Sequence, residues 1–184
     1  MSFSSHLYGQ QQSLPYREIP SYPEFFTAGA VASRMIDGLG FRFYWATEGL
    51  RDEDLAFKPN EDARTSLETI EHIYSMSKII LNSTQKKVNE SANEKLSFPE
   101  MRNRTLENLK TASNLLRTSS DKDMESYKVI FKRGDTTTEY PFWNQVNGPI
   151  ADCIWHVGQL VSFRRSSGNP FNEKVSVFNG TVRN

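Results

Sequence analysis

Three residues of this chain have the types and spacing of a metal site. Asp152 and His156 are four residues apart in the sequence DCIWHVGQL (152–160), an apolar stretch that predicts a helix. At about 100° per residue, positions four apart lie one turn from each other on nearly the same face, so this carboxylate and imidazole can point at one place. His72, in the predicted helical sequence TIEHIYSM, is the only other histidine outside the polar N-terminal segment. Together the three residues predict a two-histidine, one-carboxylate site.

This set of donors has the chemistry of an open metal site. Two imidazoles and one carboxylate leave positions on zinc for a water molecule or a substrate thiol, which the ion can acidify. A closed structural zinc site has four ligands, and a chain with one cysteine and two usable histidines cannot build a cysteine-rich one. Neither predicted ligand helix carries a Glu-x-x-His pair, which disfavours a carboxylate-bridged di-iron site. Zinc, nickel and non-haem iron remain open, because ligand identity alone does not separate them.

Each proposed ligand has an alternative role. Asp152 could orient His156 instead of binding an ion, and His72 could be a hydrogen-bonded core residue. Glu68 lies four residues before His72 and shares its helix face, which makes it a rival ligand. Its spacing from Thr65 favours a helix-capping role instead.

Other residues near the Asp-x-x-x-His pair are expected to be structural. Cys153 lies about 100° around the helix from Asp152 and is expected to be a buried apolar filler, not a nucleophile. Gly158 is expected to permit close helix packing, and Gln159 to hydrogen-bond a neighbouring helix or a ligand group. Arg164 and Arg165 are expected to be ordinary charges near a helix C-terminus, favoured by the helix dipole, with the alternative that one of them faces a substrate anion. The nearby aromatic residues are expected in the core or in a pocket wall: Tyr44, Trp45, Trp143 and Trp155.

Hydrophobic periodicity predicts four long helices that would position these residues. They span about residues 24–48, 65–87, 97–117 and 145–166. The first three follow capping-box signatures that begin at Ser21, Thr65 and Ser97. Pro149 lies either in the first turn of the fourth helix or at a kink, and the sequence SGNP (167–170) ends that helix. The apolar positions assigned to the first helix include Phe25, Phe26, Val31 and Met35.

The segment between the third and fourth helices predicts a β-hairpin. Alternating residues occupy positions 126–140, and Arg133-Gly134-Asp135 supplies a turn. The fold class is therefore mainly all-α, a four-helix bundle with long crossover connections and a small β-hairpin before the last helix. Residues 1–20 are expected to form an irregular arm, residues 21–170 the bundle, and residues 171–184 a tail.

Composition narrows the classes of partner. The 184 residues suffice for one domain with a substantial core. Because 22 Lys and Arg residues balance 22 Asp and Glu residues, no net field attracts nucleic acid or an anionic membrane. No apolar run approaches the length of a membrane span, no signal sequence is recognisable, and the single cysteine fits a reducing compartment. We therefore expect a cytoplasmic protein without nucleic-acid or membrane partners.

The arrangement of these motifs resembles the DinB/YfiT-like superfamily of metal-binding four-helix bundles. A histidine in the second helix is followed about 80 residues later by a ligand-x-x-x-His-x-Gly-Gln pattern, here His72 and residues 152–159. The sequences FYW (43–45) and LRDEDLAFKP (50–59) resemble the end of the first helix and the following loop of that family. The resemblance covers roughly residues 24–170. Most members have histidine where this chain has Asp152, and thiol-dependent branches place a carboxylate there.

The resemblance implies a function as well as a fold. It implies that His72, Asp152 and His156 bind a divalent ion, usually zinc or nickel, and that low-molecular-weight thiols take part in transfer or isomerase reactions. We therefore expect a metal-dependent hydrolase or thiol-dependent transferase acting on a small molecule. The alternatives are a non-catalytic stress protein that binds metal or a small ligand, and a dimeric helical scaffold with structural histidines. A homodimer is expected because helical bundles with exposed apolar faces commonly pair.

Overall fold

The computed structural model describes residues 13–90 and 94–183, which are mainly helical with a small sheet. The helices are α1 (Ala28–Thr47), α2 (Asp52–Ala56), α3 (Ser66–Thr84), α4 (Phe98–Arg117), α5 (Asp121–Ser126), α6 (Phe142–Gln145) and α7 (Ala151–Ser166). The strands are β1 (Val88–Asn89), β2 (Lys128–Arg133), β3 (Thr136–Pro141), β4 (Val175–Ser176) and β5 (Thr181–Val182). The predicted mainly helical character is confirmed. The predicted hairpin corresponds to β2 and β3, and β1 pairs with β2 in parallel.

The four long helices share one apolar core. Both α1 and α3 pack against α4 and against α7. Fully buried side chains come from all four helices, among them Ile36, Leu39, Phe43, Ile70, Ile73, Ile80, Leu106, Leu109, Leu116 and Leu160. Because α3 and α7 are neighbours, side chains on their facing sides can meet.

Two of the three predicted helix starts are confirmed. Thr65 immediately precedes α3, and its backbone N–H donates to Glu68 Oε2 at 2.7 Å. Ser97 immediately precedes α4, and its N–H donates to Glu100 Oε2 at 2.8 Å. Each carboxylate thereby satisfies a donor that the helix itself leaves unpaired.

The predicted start of the first helix is wrong. Thr27 caps α1 by accepting a hydrogen bond from Ala30 N at 3.1 Å, so the helix begins later than the Ser21 signature indicated. A threonine hydroxyl is a good N-cap because it satisfies a free backbone donor of the first turn. Phe25 and Phe26 consequently lie outside α1 and are exposed, not on its buried face.

The fourth predicted helix is interrupted at Pro149. α6 ends at Gln145, a π-helical turn covers Val146–Ile150, and Gly148 has non-helical backbone angles (φ −95°, ψ −108°). Proline lacks an N–H donor and its ring crowds the preceding turn, so the chain bends there. Of the two predicted positions for Pro149, the kink is therefore the observed one. The new helix starts just before Asp152, where the dipole of the first turn favours a carboxylate.

A buried carboxylate fixes the C-terminal end of α7. The side chain of Asp54 is fully buried and accepts hydrogen bonds from Arg51 Nε, Ser167 Oγ and Asn169 Nδ2 at 2.9, 2.5 and 2.7 Å. Arg51 and Asp54 belong to the start of α2, whereas Ser167 and Asn169 follow α7. Asp54 thus joins the two segments.

Arg164 strengthens the same junction. It lies in the last turn of α7, as predicted, but it is not an ordinary helix-end charge. Its side chain is buried, and Nη1 donates to the carbonyl oxygens of Trp45 and Ala46 at 2.9 and 3.1 Å. These carbonyls belong to the last turn of α1, where helices leave acceptors unpaired. Arg164 therefore anchors α7 to the end of α1.

Acid is expected to remove the contribution of Asp54 to stability. The hydrogen bond from Arg51, helped by those from Ser167 and Asn169, holds the pKa of Asp54 well below its usual range. Because the folded pKa lies below the unfolded value of about 3.9, the contribution is complete above about pH 4 and is lost as the pH falls through the folded pKa. Urea unfolding of Asp54→Asn should show a lower midpoint than wild type at pH 7, with the difference shrinking below pH 4. Asp62→Asn, at an exposed carboxylate, is the control, and a pH-independent difference for Asp54→Asn would contradict the assignment.

The terminal segments pack against α1. In residues 13–20 of the predicted arm there is no helix or strand, and the ring of Tyr16 occupies the space where a Cβ on Gly40 would lie. Residues 1–12 of the arm lie outside the described residues. The predicted tail contains the β4–β5 hairpin, and Val175 packs with Phe41 and Trp45.

Candidate metal site

The three predicted ligands meet between α3 and α7. His72 lies in the second turn of α3, Asp152 in the first turn of α7 and His156 one turn further along α7. His72 Nε2 is 2.8 Å from Asp152 Oδ2, and His156 Nε2 is 3.5 Å from Asp152 Oδ1. One donor atom from each residue lies within 4.8 Å of the other two. The structure therefore brings together all three residues that the sequence singled out.

The spacing of the donor atoms fits a single ion. Zinc binds nitrogen and oxygen ligands at about 2.0 to 2.2 Å, so two ligands of one ion lie at most about 4.4 Å apart. The two distances to the Asp152 oxygens are below that limit. These two distances go to different oxygens of Asp152, and the other pairs of donors lie within 4.8 Å. Bringing them within the limit needs a shift of no more than a few tenths of an ångström, which a small side-chain rotation supplies. The imidazole rings are already edge-to-face, with centroids 4.7 Å apart.

Gln159 sets the orientation and tautomer of His156. Its Oε1 lies 2.7 Å from His156 Nδ1, one turn further along the same face of α7. With the amide oriented in this way, Nδ1–H donates to the amide oxygen, and Nε2 of the neutral ring carries the lone pair that a metal needs. Nε2 is also the nitrogen that faces Asp152. Such support by a second residue is a general property of metal-binding histidines.

The cluster is partly open to solvent. The exposed fractions of the side chains are 26% for His72, 36% for Asp152 and 16% for His156. A small molecule can therefore approach the cluster without opening the core. The neighbouring Cys153 belongs to the apolar core and is fully buried, with Sγ 4.0 Å from the carbonyl oxygen of Ile73 on α3.

Two rival interpretations are resolved by the geometry. Glu68 Oε2 accepts hydrogen bonds from the N–H and hydroxyl of Thr65, and these bonds lower the pKa of Glu68. Glu68 therefore caps α3 and is absent from the cluster of converging donors. Burial, with a smaller effect of the Asp152 charge, raises the pKa of the Cys153 thiol. Cys153 is therefore a protonated core residue at neutral pH, in agreement with its predicted role as an apolar filler.

The core position predicted as one alternative for Trp143 and Trp155 is wrong, and so is the close packing predicted at Gly158. Trp155 and Trp143 are largely exposed, at 72% and 78%, and so are not core residues. A Cβ on Gly158 would meet nothing within 4 Å, so this glycine does not mediate close packing. All three errors have one cause, since hydrophobic pattern alone does not say which side of α6 or α7 faces the core.

Removing the Gln159 amide is expected to weaken metal binding by about 10- to 100-fold, the typical cost of losing such a supporting contact. In Gln159→Leu the His156 ring loses its acceptor and rotates freely, whereas Gln159→Glu keeps an acceptor and should keep the affinity. Competition titrations against a chromophoric chelator measure both variants. Wild-type affinity in Gln159→Leu would show that the 2.7 Å contact does not position His156.

Searches of family models, curated proteins and solved structures found no match to this chain. Within residues 13–90 and 94–183, no helix has both the length and the apolar character that a membrane span requires.

Proposed function

We propose that this chain is a DinB-like metal-binding protein whose His72, Asp152 and His156 hold one divalent ion for a hydrolase or thiol-dependent transferase reaction. The observation that carries the proposal is the convergence of one donor atom from each residue, with Gln159 directing His156 Nε2 inward. The resemblance to the DinB/YfiT-like superfamily points to the same residues. Zinc or nickel is the proposed ion, with iron as the alternative that the ligand set also accommodates.

We also propose the four-helix bundle as the architecture. Each of α1 and α3 packs against both α4 and α7, which supports a closed arrangement of four helices. The connection between α3 and α4 and the longer one between α4 and α7 support the proposed crossovers. Metals in such bundles are held by side chains from facing helices. His72 on α3 and the two proposed ligands on α7 lie on facing helices in the same way.

The protein groups around the cluster have defined roles in this proposal. When bound, the ion would make a water molecule or a substrate thiol more acidic. Asp152 supplies the negative charge that offsets the ion, while the two neutral imidazoles supply lone pairs. Because Cys153 is buried and protonated, it is not the attacking group. The nucleophile therefore comes from solvent or from a small thiol substrate.

One observation favours the alternative of a helical scaffold. His72 Nε2 and Asp152 Oδ2 lie 2.8 Å apart, at hydrogen-bond distance, and this contact joins α3 to α7 without an ion. In that case the histidines are structural, and neither metal nor thiol is needed. A non-catalytic stress protein would instead bind metal without turnover. Cytoplasmic location and the absence of nucleic-acid partners stay predictions from composition, and the single buried Cys153 is compatible with a reducing compartment.

Activity assays on metal-loaded protein test the proposed reaction classes. The expected result is thiol transfer to an electrophilic acceptor, or hydrolysis of a small ester or amide, that depends on the added ion and is lost in His156→Ala. Tight metal binding without turnover would favour the non-catalytic stress protein. Failure to bind zinc, nickel or iron would favour the scaffold and end the proposal of a metal site.

Removal of the ion is expected to lower stability without unfolding the chain. The core consists of apolar side chains from four helices, so the fold does not depend on the cluster, and a bound ion adds only its binding free energy. Circular dichroism of chelator-treated protein should keep the helical signal at room temperature, with a lower melting temperature than the metal-loaded form. Loss of the helical signal on chelation would contradict this expectation.

A further inference from the structure

An exposed tryptophan lies beside the metal cluster on α7. Trp155 immediately precedes His156 and is exposed by 72%, which is unusual for so large an apolar side chain. Residues three and four apart are neighbours on a helix surface, so Trp155 adjoins Asp152 in one direction and Gln159 in the other. Long side chains on helices point back toward the preceding turn, and for Trp155 that turn contains Asp152. The indole therefore lies at the edge of the cluster.

The cluster opens toward the side of α7 that carries Trp155. Around the helix axis, the exposure of the side chains rises from His156 to Asp152 and then to Trp155. On the opposite flank of Asp152, about 100° around the helix, Cys153 is fully buried. The solvent side of the cluster on α7 is therefore the side of Trp155. A small molecule that approaches the ligand atoms along this side contacts the indole.

The neighbours of Trp155 leave its indole uncovered. The exposed residues beside it on this face of α7 are small, namely Ala151, Gly158 and Ser162. A Cβ on Gly158 would meet nothing within 4 Å, so the space over this turn is open. Among the residues that the structure describes, no aromatic ring and no cationic side chain stacks on Trp155. The surface of the indole is therefore available to a ligand.

An uncovered indole without charged neighbours is suited to a flat apolar ring. Aromatic rings pair in offset or edge-to-face arrangements, and such a pair is more stable than its buried area alone indicates. The small residues around Trp155 carry no charge. A cation can also lie over an indole, but cation sites typically enclose their ligand in several aromatic rings. At the neighbouring positions of α7 no second aromatic residue occurs, which favours an aromatic ligand.

We propose that Trp155 determines the substrate specificity of the metal cluster by stacking on an aromatic ring of the substrate. This role rests on the proposed function and names the class of its substrate, a small thiol, ester or amide that carries an aromatic ring. Neighbouring side chains on a helix surface are about 5 to 6 Å apart, so only a few bonds separate the ring from the group that reaches the ion. Trp155 holds the ring and takes no part in the reaction itself.

The binding of two thiols to the zinc- or nickel-loaded full chain tests the proposal. Phenylmethanethiol carries an aromatic ring and ethanethiol does not, and calorimetric titration gives the affinity for each. Phenylmethanethiol is expected to bind wild type at least about 10-fold more tightly, because the stacked pair adds to the apolar area that the ring buries. Trp155→Ala should reduce this preference to less than about 3-fold, whereas Trp155→Phe keeps a ring and should retain most of it.

Trp143→Ala is the matched control for Trp155→Ala. Trp143 is as exposed as Trp155, but it lies on α6, before the kink at Pro149. Its replacement should leave the preference for phenylmethanethiol unchanged. Elemental analysis of every variant should still give one ion per chain, because neither tryptophan belongs to the cluster of converging donors. A loss of the preference is thereby separated from a loss of the metal.

Other results would overturn the proposal. Equal affinity of metal-loaded wild type for the two thiols would do so while leaving the metal site intact. An aromatic preference that Trp155→Ala and Trp143→Ala affect equally would place the ring elsewhere. Tighter binding of 2-aminoethanethiol than of phenylmethanethiol would assign the indole to a cation instead. A wild-type chain that holds neither zinc nor nickel would overturn the proposed function and this role of Trp155 together.

Discussion

Replacement of Asp152 by alanine is expected to lower the affinity for zinc or nickel by more than about 100-fold, and Asp152→His is expected to restore it. The carboxylate faces both ligand nitrogens, at 2.8 and 3.5 Å, so its loss removes one of three donors. An imidazole at the same helical position would give three histidine ligands, a set that zinc also accepts in an open site. The decisive measurement is whether Asp152→His recovers the affinity, because Asp152→Ala lowers it whether or not Asp152 is a ligand.

The alternative role of Asp152 gives a different pattern. If Asp152 only orients the imidazoles, Asp152→Ala should cost on the order of 10- to 100-fold in affinity, and Asp152→His should not repair the loss. All titrations need one fixed pH, because histidine must be neutral to bind a metal. Asp121→Ala is a suitable control, since Asp121 is an exposed carboxylate in the first turn of α5 and should not affect binding.

Replacement of Asp37 by alanine is expected to lower the free energy of unfolding by about 3 to 5 kcal/mol, the usual cost of breaking a buried ion pair by removing one partner. Asp37 on α1 is fully buried, and its carboxylate accepts hydrogen bonds from Tyr16 Oη at 3.0 Å and Ser113 Oγ at 2.5 Å. Arg117 on α4 forms an ion pair with the same carboxylate. The substitution therefore leaves three donors without their acceptor.

Urea unfolding at pH 7 measures this effect. Tyr16→Phe removes only one donor and should cost about 1 kcal/mol, which makes it the graded comparison. Burial, followed by the nearby Asp37 charge, raises the pKa of Tyr16, so the phenol remains a donor throughout the neutral range. If Asp37→Ala lowered the free energy of unfolding by less than about 1 kcal/mol, the result would show that Arg117 and Ser113 find other partners.

Two of the three proposed ligands were predictable because their spacing within the chain is local. Asp152 and His156 share a face on any helix, and the capping signals at Thr65 placed His72 on a second helix. The three side chains meet because α3 and α7 are neighbours in one particular register. That register depends on core packing, which no local pattern encodes. Gln159 was expected to form a hydrogen bond, but its partner, His156, emerged only from the structure.

The buried polar residues were not predictable from pattern. Asp37 lies in an apolar helix, and its partner Arg117 is 80 residues away in the sequence. In the sequence Asp54 is one of several acidic residues in a short segment, and nothing there indicates that Ser167 and Asn169 donate to it. Hydrophobic periodicity records which residues are apolar, but the burial of a charge depends on partners that are distant in the chain.

The metal content of the purified protein is the most direct test of the central claim. After reconstitution with zinc or nickel and removal of unbound ions, elemental analysis should give one ion per chain for wild type and almost none for His72→Ala. His6→Ala, a change of the same type outside the described residues, should retain the ion. Equal metal content in wild type and His72→Ala, or none in either, would contradict a site built by His72, Asp152 and His156.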